Sequence, residues 1–214
     1  MVDETSISNK ALRRIGSRPL TLFGTDGTKE DDACATFLTE AVKTTLKLYN
    51  WTFATRRSQL TAHGTAPAWG YDYAYLLPTD FIHLITAHPS DNQRSKIRDY
   101  LIEMHEDASS ADLKQAIYTN TNLCYIRYVA YHVKFDEMSP DFVDLLAFVL
   151  ARDLAAALSI SISEQQISDD IFKRLFTKAT SRDAMQQPLE PRPPGSWAQS
   201  RSSRGRWSDE IWTD

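Results

Sequence analysis

The chain has 214 residues and a mass of 24.3 kDa, enough for one substantial domain with a small appendage. At 42% hydrophobic and 24% charged it has the composition of a core-forming protein, and its net charge of −4 excludes the simplest kind of dedicated nucleic-acid binder. Two cysteines, Cys34 and Cys124, supply neither a disulfide framework nor a zinc site and suit a reducing compartment. No apolar run approaches the roughly 20 residues of a membrane span. Met1-Val2-Asp3-Glu4 lacks the basic start and apolar stretch of a signal peptide, so a soluble protein folded in the cytoplasm is expected.

Ile7, Ala11 and Ile15 lie one turn apart and predict a helix over about 5–16, closed by Gly16 and Pro19. A loop with Asp26-Gly27 as its turn follows, then a longer helix over about 29–50. Glu30, Asp31 and Asp32 in its first turn suit the positive end of the helix dipole, and Phe37, Leu38, Ala41, Val42, Leu46 and Tyr49 form its apolar stripe.

From about 51 to 135 the chain is rich in aromatics and broken by Gly64, Pro67, Gly70, Pro78 and Pro89. The clearest strand is 123–135, with Tyr125, Arg127, Val129, Tyr131, Val133 and Phe135 on one side. Cys124, Ile126, Tyr128, Ala130, His132 and Lys134 take the other side. Residues 115–119 precede it across Asn120-Thr121-Asn122, which reads as a hairpin connection. Shorter strands are predicted near 52–61, 82–87 and 97–102, giving one small antiparallel sheet with long loops.

Ser139-Pro140 opens a helix over about 140–159 whose only polar stripe is Asp141, Asp144 and Arg152. Such a helix belongs in the centre of a bundle or at a subunit contact. Ser161 and Glu164 form a capping box for a last helix over about 163–186, with Ile167, Ile171, Leu175 and Ala179 on one face. The fold class is therefore α+β: a bundle of N- and C-terminal helices, a small antiparallel β-rich insertion, and an extended C-terminal tail.

Candidate chemistry is sparse. His63, His83, His88, His105 and His132 show no metal-ligand spacing, and no phosphate loop or nucleophile elbow is present. Glu103, His105, Glu106 and Asp107 form a polar cluster that reads first as a solvated loop. The run Trp69-Gly70-Tyr71-Asp72-Tyr73-Ala74-Tyr75 offers a stacking platform for sugar or bases, but reads first as a structured loop wrapping the sheet. Cys34 and Cys124 read as packed side chains rather than nucleophiles.

The segment 188–214 holds four prolines and four arginines and has no apolar period, so it reads as an extended tail. It also contains Trp197, Trp207 and Trp212, three of the five tryptophans, which is odd for a passive linker. Ordering so many residues costs more than burying three indoles returns, so the tail is expected to gain its shape on a partner protein. The indoles then serve as anchors. A DNA role for Arg192, Arg201, Arg204 and Arg206 is weaker, because Glu190, Asp209, Glu210 and Asp214 cancel their charge.

Several local patterns, taken in order over about 5–185, resemble the tail tubular protein A family, the head-to-tail adaptors of short-tailed phages. They are Ala11-Leu12-Arg13-Arg14-Ile15-Gly16 with Pro19, then Tyr49-Asn50-Trp51-Thr52-Phe53-Ala54. Tyr75-Leu76-Leu77-Pro78-Thr79-Asp80-Phe81 follows, and then Tyr128-Val129 ahead of Met138-Ser139-Pro140-Asp141-Phe142. The resemblance implies an adaptor domain over 1–187 that forms a dodecameric ring between the portal protein and the tail nozzle protein in the virion neck, assembled in the host cytoplasm. DNA would pass through the central channel without specific binding, and the negative charge multiplied around a ring would keep it from sticking. The tail, 188–214, would dock on the portal through Trp197, Arg201, Arg204, Arg206, Trp207 and Trp212. No enzymatic activity, cofactor, metal or membrane anchor is expected. The alternatives are an envelope glycan- or peptidoglycan-degrading tail component and a DNA-binding packaging factor.

Overall fold

The computed structural model describes residues 2–91, 95–106, 113–131, 134–158 and 169–186. Within them the chain is mixed α+β, with four α-helices and two three-stranded antiparallel sheets.

The first helix, α1 (Glu4–Arg14), opens on a reciprocal cap: the Asp3 carboxylate accepts from the Ser6 N–H at 2.8 Å, and Ser6 Oγ accepts from the Asp3 N–H at 3.0 Å. It closes at Gly16, whose φ of 71° lets the Ser17 N–H reach the Leu12 carbonyl at 3.0 Å. The second, α2 (Lys29–Lys47), ends before residue 50, where the expected helix stops. The cause is Trp51: its indole N–H donates to the Thr45 carbonyl at 3.0 Å, completing the helix end as the backbone turns away.

Ser139 caps α3 (Pro140–Ala157), as read from the sequence, by accepting from the Phe142 N–H at 3.3 Å. Eleven of its residues are buried, because α1, α2 and α4 (Asp169–Ala184) all pack on it. The apolar character of α3 is thus used up within one chain and needs no neighbouring subunit. The Ser161–Glu164 cap and Ile167, expected to begin α4, lie outside the described residues.

The β-region departs from expectation. One sheet runs β1 (Thr55–Leu60), β6 (Cys124–Ala130), β3 (Phe81–His88); the other runs β2 (Tyr73–Leu76), β5 (Leu113–Thr119), β4 (Leu101–Glu106). Two sheets stand where one was expected, and β5 and β6 belong to different ones, so 120–123 is a corner and not a hairpin turn. The corner is held by Tyr75 Oη, which donates to the Thr121 carbonyl at 2.8 Å, and by Asn120 Oδ1, which accepts from the Asp72 N–H at 3.0 Å. Turn residues look alike in both cases. What decides is that β1 and β3 offer Leu60, Leu84 and Ala87 to the Ile126 and Tyr128 face of β6.

Two further corrections concern single stretches. Residues 73–76 form an edge strand, although the aromatic run reads as a loop. The strand expected at 97–102 lies at Leu101–Glu106, since Ile97 is a loop residue that plugs the inter-sheet core while its N–H donates to the Ala87 carbonyl at 2.8 Å. His132 and Val133, expected to extend β6, lie outside the described residues. Among the described residues no helix is long and apolar enough to cross a membrane.

One core joins the helices to the first sheet through Trp51, Phe142 and Val129, and a second lies between the sheets around Tyr75, Ile117, Ile126 and Tyr128. A buried carboxylate ties the last helix to the helix–sheet junction. Asp183 accepts from the Thr52 N–H at 3.0 and 3.1 Å and from the Thr52 hydroxyl at 2.8 Å. Asp183→Ala removes the hydrogen bonds to the partly buried Thr52 and should cost about 1–3 kcal/mol. In urea its unfolding midpoint should fall clearly, while Met185→Ala, at a side chain 83% exposed, should stay within about 0.5 kcal/mol of the parent.

Candidate functional site

The residues expected to dock on a partner, Trp197, Arg201, Arg204, Arg206, Trp207 and Trp212, lie outside the described residues, as does Arg192. The structure does describe the base from which that segment leaves. Phe172, Leu175, Phe176 and Ala179 pack α4 onto the helical core, with the Phe148 and Phe172 rings 6.2 Å apart. Arg182 Nη1 donates to both carboxylate oxygens of Asp141 at 2.9 Å, and Lys178 stands 3.1 Å from the same carboxylate. The last turns of α4 are therefore clamped to the first turn of α3 and, through Asp183, to Thr52 in the short turn that precedes β1.

The Asp141 carboxyl feels burial, which alone would raise its pKa, but the hydrogen bonds and charges of Arg182 and Lys178 outweigh that and hold it below the usual range. A carboxyl whose pKa is lower folded than unfolded stabilises the fold above its unfolded value and loses that contribution as pH falls through the folded one. Both basic partners are about half exposed, so the effect is screened. Stability should drop below about pH 4 by less than about 1 kcal/mol from this group, and Asp141→Asn should flatten that part of the pH profile of thermal unfolding.

The acid–base candidates are placed differently from expectation. Glu103, His105 and Glu106 belong to β4 and not to a solvated loop; Asp107 lies outside the described residues. Alternation along the strand sends Glu103 and Glu106 to opposite faces, so they do not converge on one substrate. His105 is buried, at 5% exposure, with Nδ1 3.1 Å from Tyr118 Oη and Nε2 3.3 Å from His63 Nδ1. The Thr65 N–H also donates to His63 Nδ1, at 3.3 Å. Burial first, and then Glu103, push the Tyr118 phenol up. Two histidines 42 positions apart are thereby joined, which spacing alone did not show. The described residues contain no group of three or more His, Cys, Asp or Glu side chains able to hold a metal.

Of the aromatic run, Tyr75 is buried in the inter-sheet core, Tyr71 Oη donates to Asp99 at 3.1 Å, and Trp69 is 87% exposed. The rings do not form one platform. Both cysteines are fully buried. Burial, with a smaller contribution from Asp31 and Glu30, pushes Cys34 up to about 11, and burial alone pushes Cys124 up to about 12.

A feature not singled out in the sequence is a trough on the first sheet. Three rungs cross one face in order: Thr55–Val129–His83, Arg57–Arg127–Thr86 and Gln59–Tyr125–His88. The end of α2 covers the first rung, where Val129 is fully buried and His83 Nε2 lies 2.7 Å from Asn50 Oδ1. Burial first, and then Lys47, hold the His83 imidazole below its usual pKa. The next two rungs emerge from under the helices and floor an open trough of about 340 Å³, with Ser90, Asp91 and Lys96 along its side. His88 pins that side: its Nδ1 lies 2.7 Å from the Ser95 carbonyl, which only accepts, so Nδ1 carries the proton. Its Nε2 meets Thr86 Oγ1 at 3.1 Å. The alternation of 123–135 placed Tyr125 and Arg127 on one side, but the arginine opposite Arg127 depends on a strand partner 70 residues earlier.

Neither thiol should react with an aromatic disulfide reagent in the native protein at about pH 8, and both should react once denaturant opens the cores.

Neither a protein-family model nor a curated protein sequence matches this chain.

Proposed function

We propose that the chain is a structural head-to-tail adaptor of a short-tailed phage virion. In this reading a helical bundle carrying two β-sheets repeats around a ring between portal and tail nozzle, leaves a channel for DNA, and docks on the portal through 188–214. The observation that carries the reading is that the patterns behind the family resemblance, far apart in sequence, meet in space. Trp51 and Phe53 of one pattern both pack on Phe142 of another, each with ring centroids 4.9 Å away. Asp80 of a third accepts from the hydroxyl of Tyr128, part of a fourth, at 3.1 Å. Residues that matter mainly to the fold are what a shared scaffold requires.

The segment 188–214 supplies the partner chemistry. Its indoles suit pockets on another protein, and its arginines suit the rim of such a contact. It begins beside a helix clamped to the body by Asp141 and Asp183, so a pull on it is delivered to the core rather than to a loose end. Many equivalent segments around a ring multiply a modest single affinity. The glycan-degrading alternative requires two cooperating carboxylates, and Glu103 and Glu106 do not provide them.

Electron microscopy of portal rings mixed with full-length protein or with a version ending at Gln187 tests this reading. Full-length protein should add a ring of density beneath the portal, and the shortened protein should do so far less. Equal ring formation by both would remove the segment from the mechanism, and no added density with either would remove the adaptor reading itself.

A further inference from the structure

We infer that the outer edge of β4 pairs, antiparallel and about a two-fold axis, with the same edge of a second copy of this chain. The second sheets of two molecules then join into one. This goes beyond the adaptor reading and does not depend on it. The hydrogen bonds fix which way the β4 main chain points. The His63 N–H donates to the Ala74 carbonyl at 2.7 Å, so residue 74 is turned away from β5, while Tyr73 and Tyr75 bond to it. Bonding direction alternates along a strand, so Thr119 and Ile117 of β5 face β2, and Tyr118, Ala116 and Lys114 face β4. Their partners Leu101, Glu103 and His105 bond back to β5. Ile102, Met104 and Glu106 are left with their N–H and C=O groups pointing outward, and among the described residues nothing accepts from or donates to them.

A row of outward main-chain groups is a template for another strand, and sheets usually blunt it. The other three edges are blunted. β1 carries Arg56 and Arg57, β2 is met by the bridge from Ala62 to Tyr75, and β3 is bent by two register shifts and met by the Ile97 N–H at the Ala87 carbonyl. β4 has no proline and no bulge, and its register with β5 is unbroken from Leu101 to Glu106. Apolar side chains also stand open beside it: Leu101 is 43% exposed, Met104 52% and Leu113, opposite Glu106, 56%.

The charge pattern of the edge is complementary to itself, and this selects a second copy as the occupant. A two-fold centred on Met104 matches outward groups with outward groups. It sets Met104 against its own copy, Ile102 against Glu106 and Glu103 against His105 of the second molecule. No carboxylate then faces a carboxylate. Each Glu103 instead meets an imidazole, which is able to carry positive charge, with Lys114 beside it on the same face. Centring the axis on Glu103 would place two carboxylates directly opposite each other, which is unfavourable. One strand pair with a few apolar side chains is small beside a permanent interface, so the pair is reversible. Such a contact is used up within one pair, so it does not extend into a ring and belongs to the chain before it meets other partners.

Sedimentation equilibrium of the full chain over about a hundredfold range of concentration tests the assignment. A monomer–dimer equilibrium is expected. Met104→Lys brings two like charges together at the axis and should weaken it about tenfold or more. Met104→Pro removes an outward N–H that β5 does not use and should do the same. Leu48→Lys, at an exposed leucine just past α2, should leave it unchanged. Circular dichroism of each variant checks folding; if one Met104 variant does not fold, the other carries the test. A parent protein that stays monomeric throughout overturns the proposal, and if a lysine-rich extended peptide binds that monomer, the edge belongs to a foreign strand. Equal association by a folded Met104 variant overturns it too. Loss of the dimer in a version ending at Gln187, with β4 intact, would assign the contact to the C-terminal segment and would also overturn it.

Discussion

The fold depends on one indole. Trp51 follows the end of α2, is fully buried, and does three things at once. Its N–H donates to the Thr45 carbonyl, which also accepts from the Leu48 N–H, so the indole is fastened to the last turn of the helix. Its ring packs edge-on against Tyr49 at 5.3 Å and Phe142 at 4.9 Å, joining the second helix to the third. Its backbone carbonyl accepts from the Thr55 hydroxyl at 2.8 Å, where the first sheet begins. A smaller side chain here would uncouple a helix end, a helix contact and a strand start together.

Two carboxylates extend that junction in opposite directions. Asp183 brings the last helix onto Thr52, immediately beside the indole. Asp80 ties the first sheet together at its other margin: it accepts from Arg56 on β1 at 2.9 Å and Tyr128 on β6 at 3.1 Å, and its carbonyl accepts from the Tyr131 N–H at 2.6 Å. Each carboxylate joins elements that are distant in sequence, so each contributes directional contacts that apolar burial cannot. Between these two fastenings the sheet has little freedom to shift its register, and the helices end where they do. The uncovered rungs beyond them follow from helix length: α2 stops at Lys47, and the sheet runs on past it.

How much of this was legible in the sequence can be judged from particular residues. Ser139-Pro140 and Gly16 marked helix ends correctly because capping is decided within a few residues. The burial of α3 was legible too, since Asp141, Asp144, Arg152 and Asp153 are its only charged residues, but whether its own chain or another subunit would cover it was not. Strand partners were not legible. Asn120-Thr121-Asn122 permits a hairpin and a corner equally, and only the burial of Ile117 on one sheet and Ile126 on the other separates them. The same blindness hid the two sites of chemical interest. His63 meets His105, and Arg57 meets Arg127, only through tertiary pairing that no local pattern encodes. Ile97 misled for a related reason, because an apolar side chain can fill a core from a loop as well as from a strand.

The burial of α3 also changes what an assembly argument has to rest on. An all-round apolar helix invites the idea of a subunit contact, but α1, α2, α4 and the Trp51 junction already cover it. Association with other chains must then use features at the periphery, where charge and exposed rings lie. Those features sit on rigid supports: the base of the C-terminal segment is held by Asp141 and Asp183, and the cationic trough is floored by a sheet fastened at Asp80. Rigid support matters because a contact made by a preordered surface loses less conformational entropy on binding. A chain that completes its own core in this way can fold before it meets any partner.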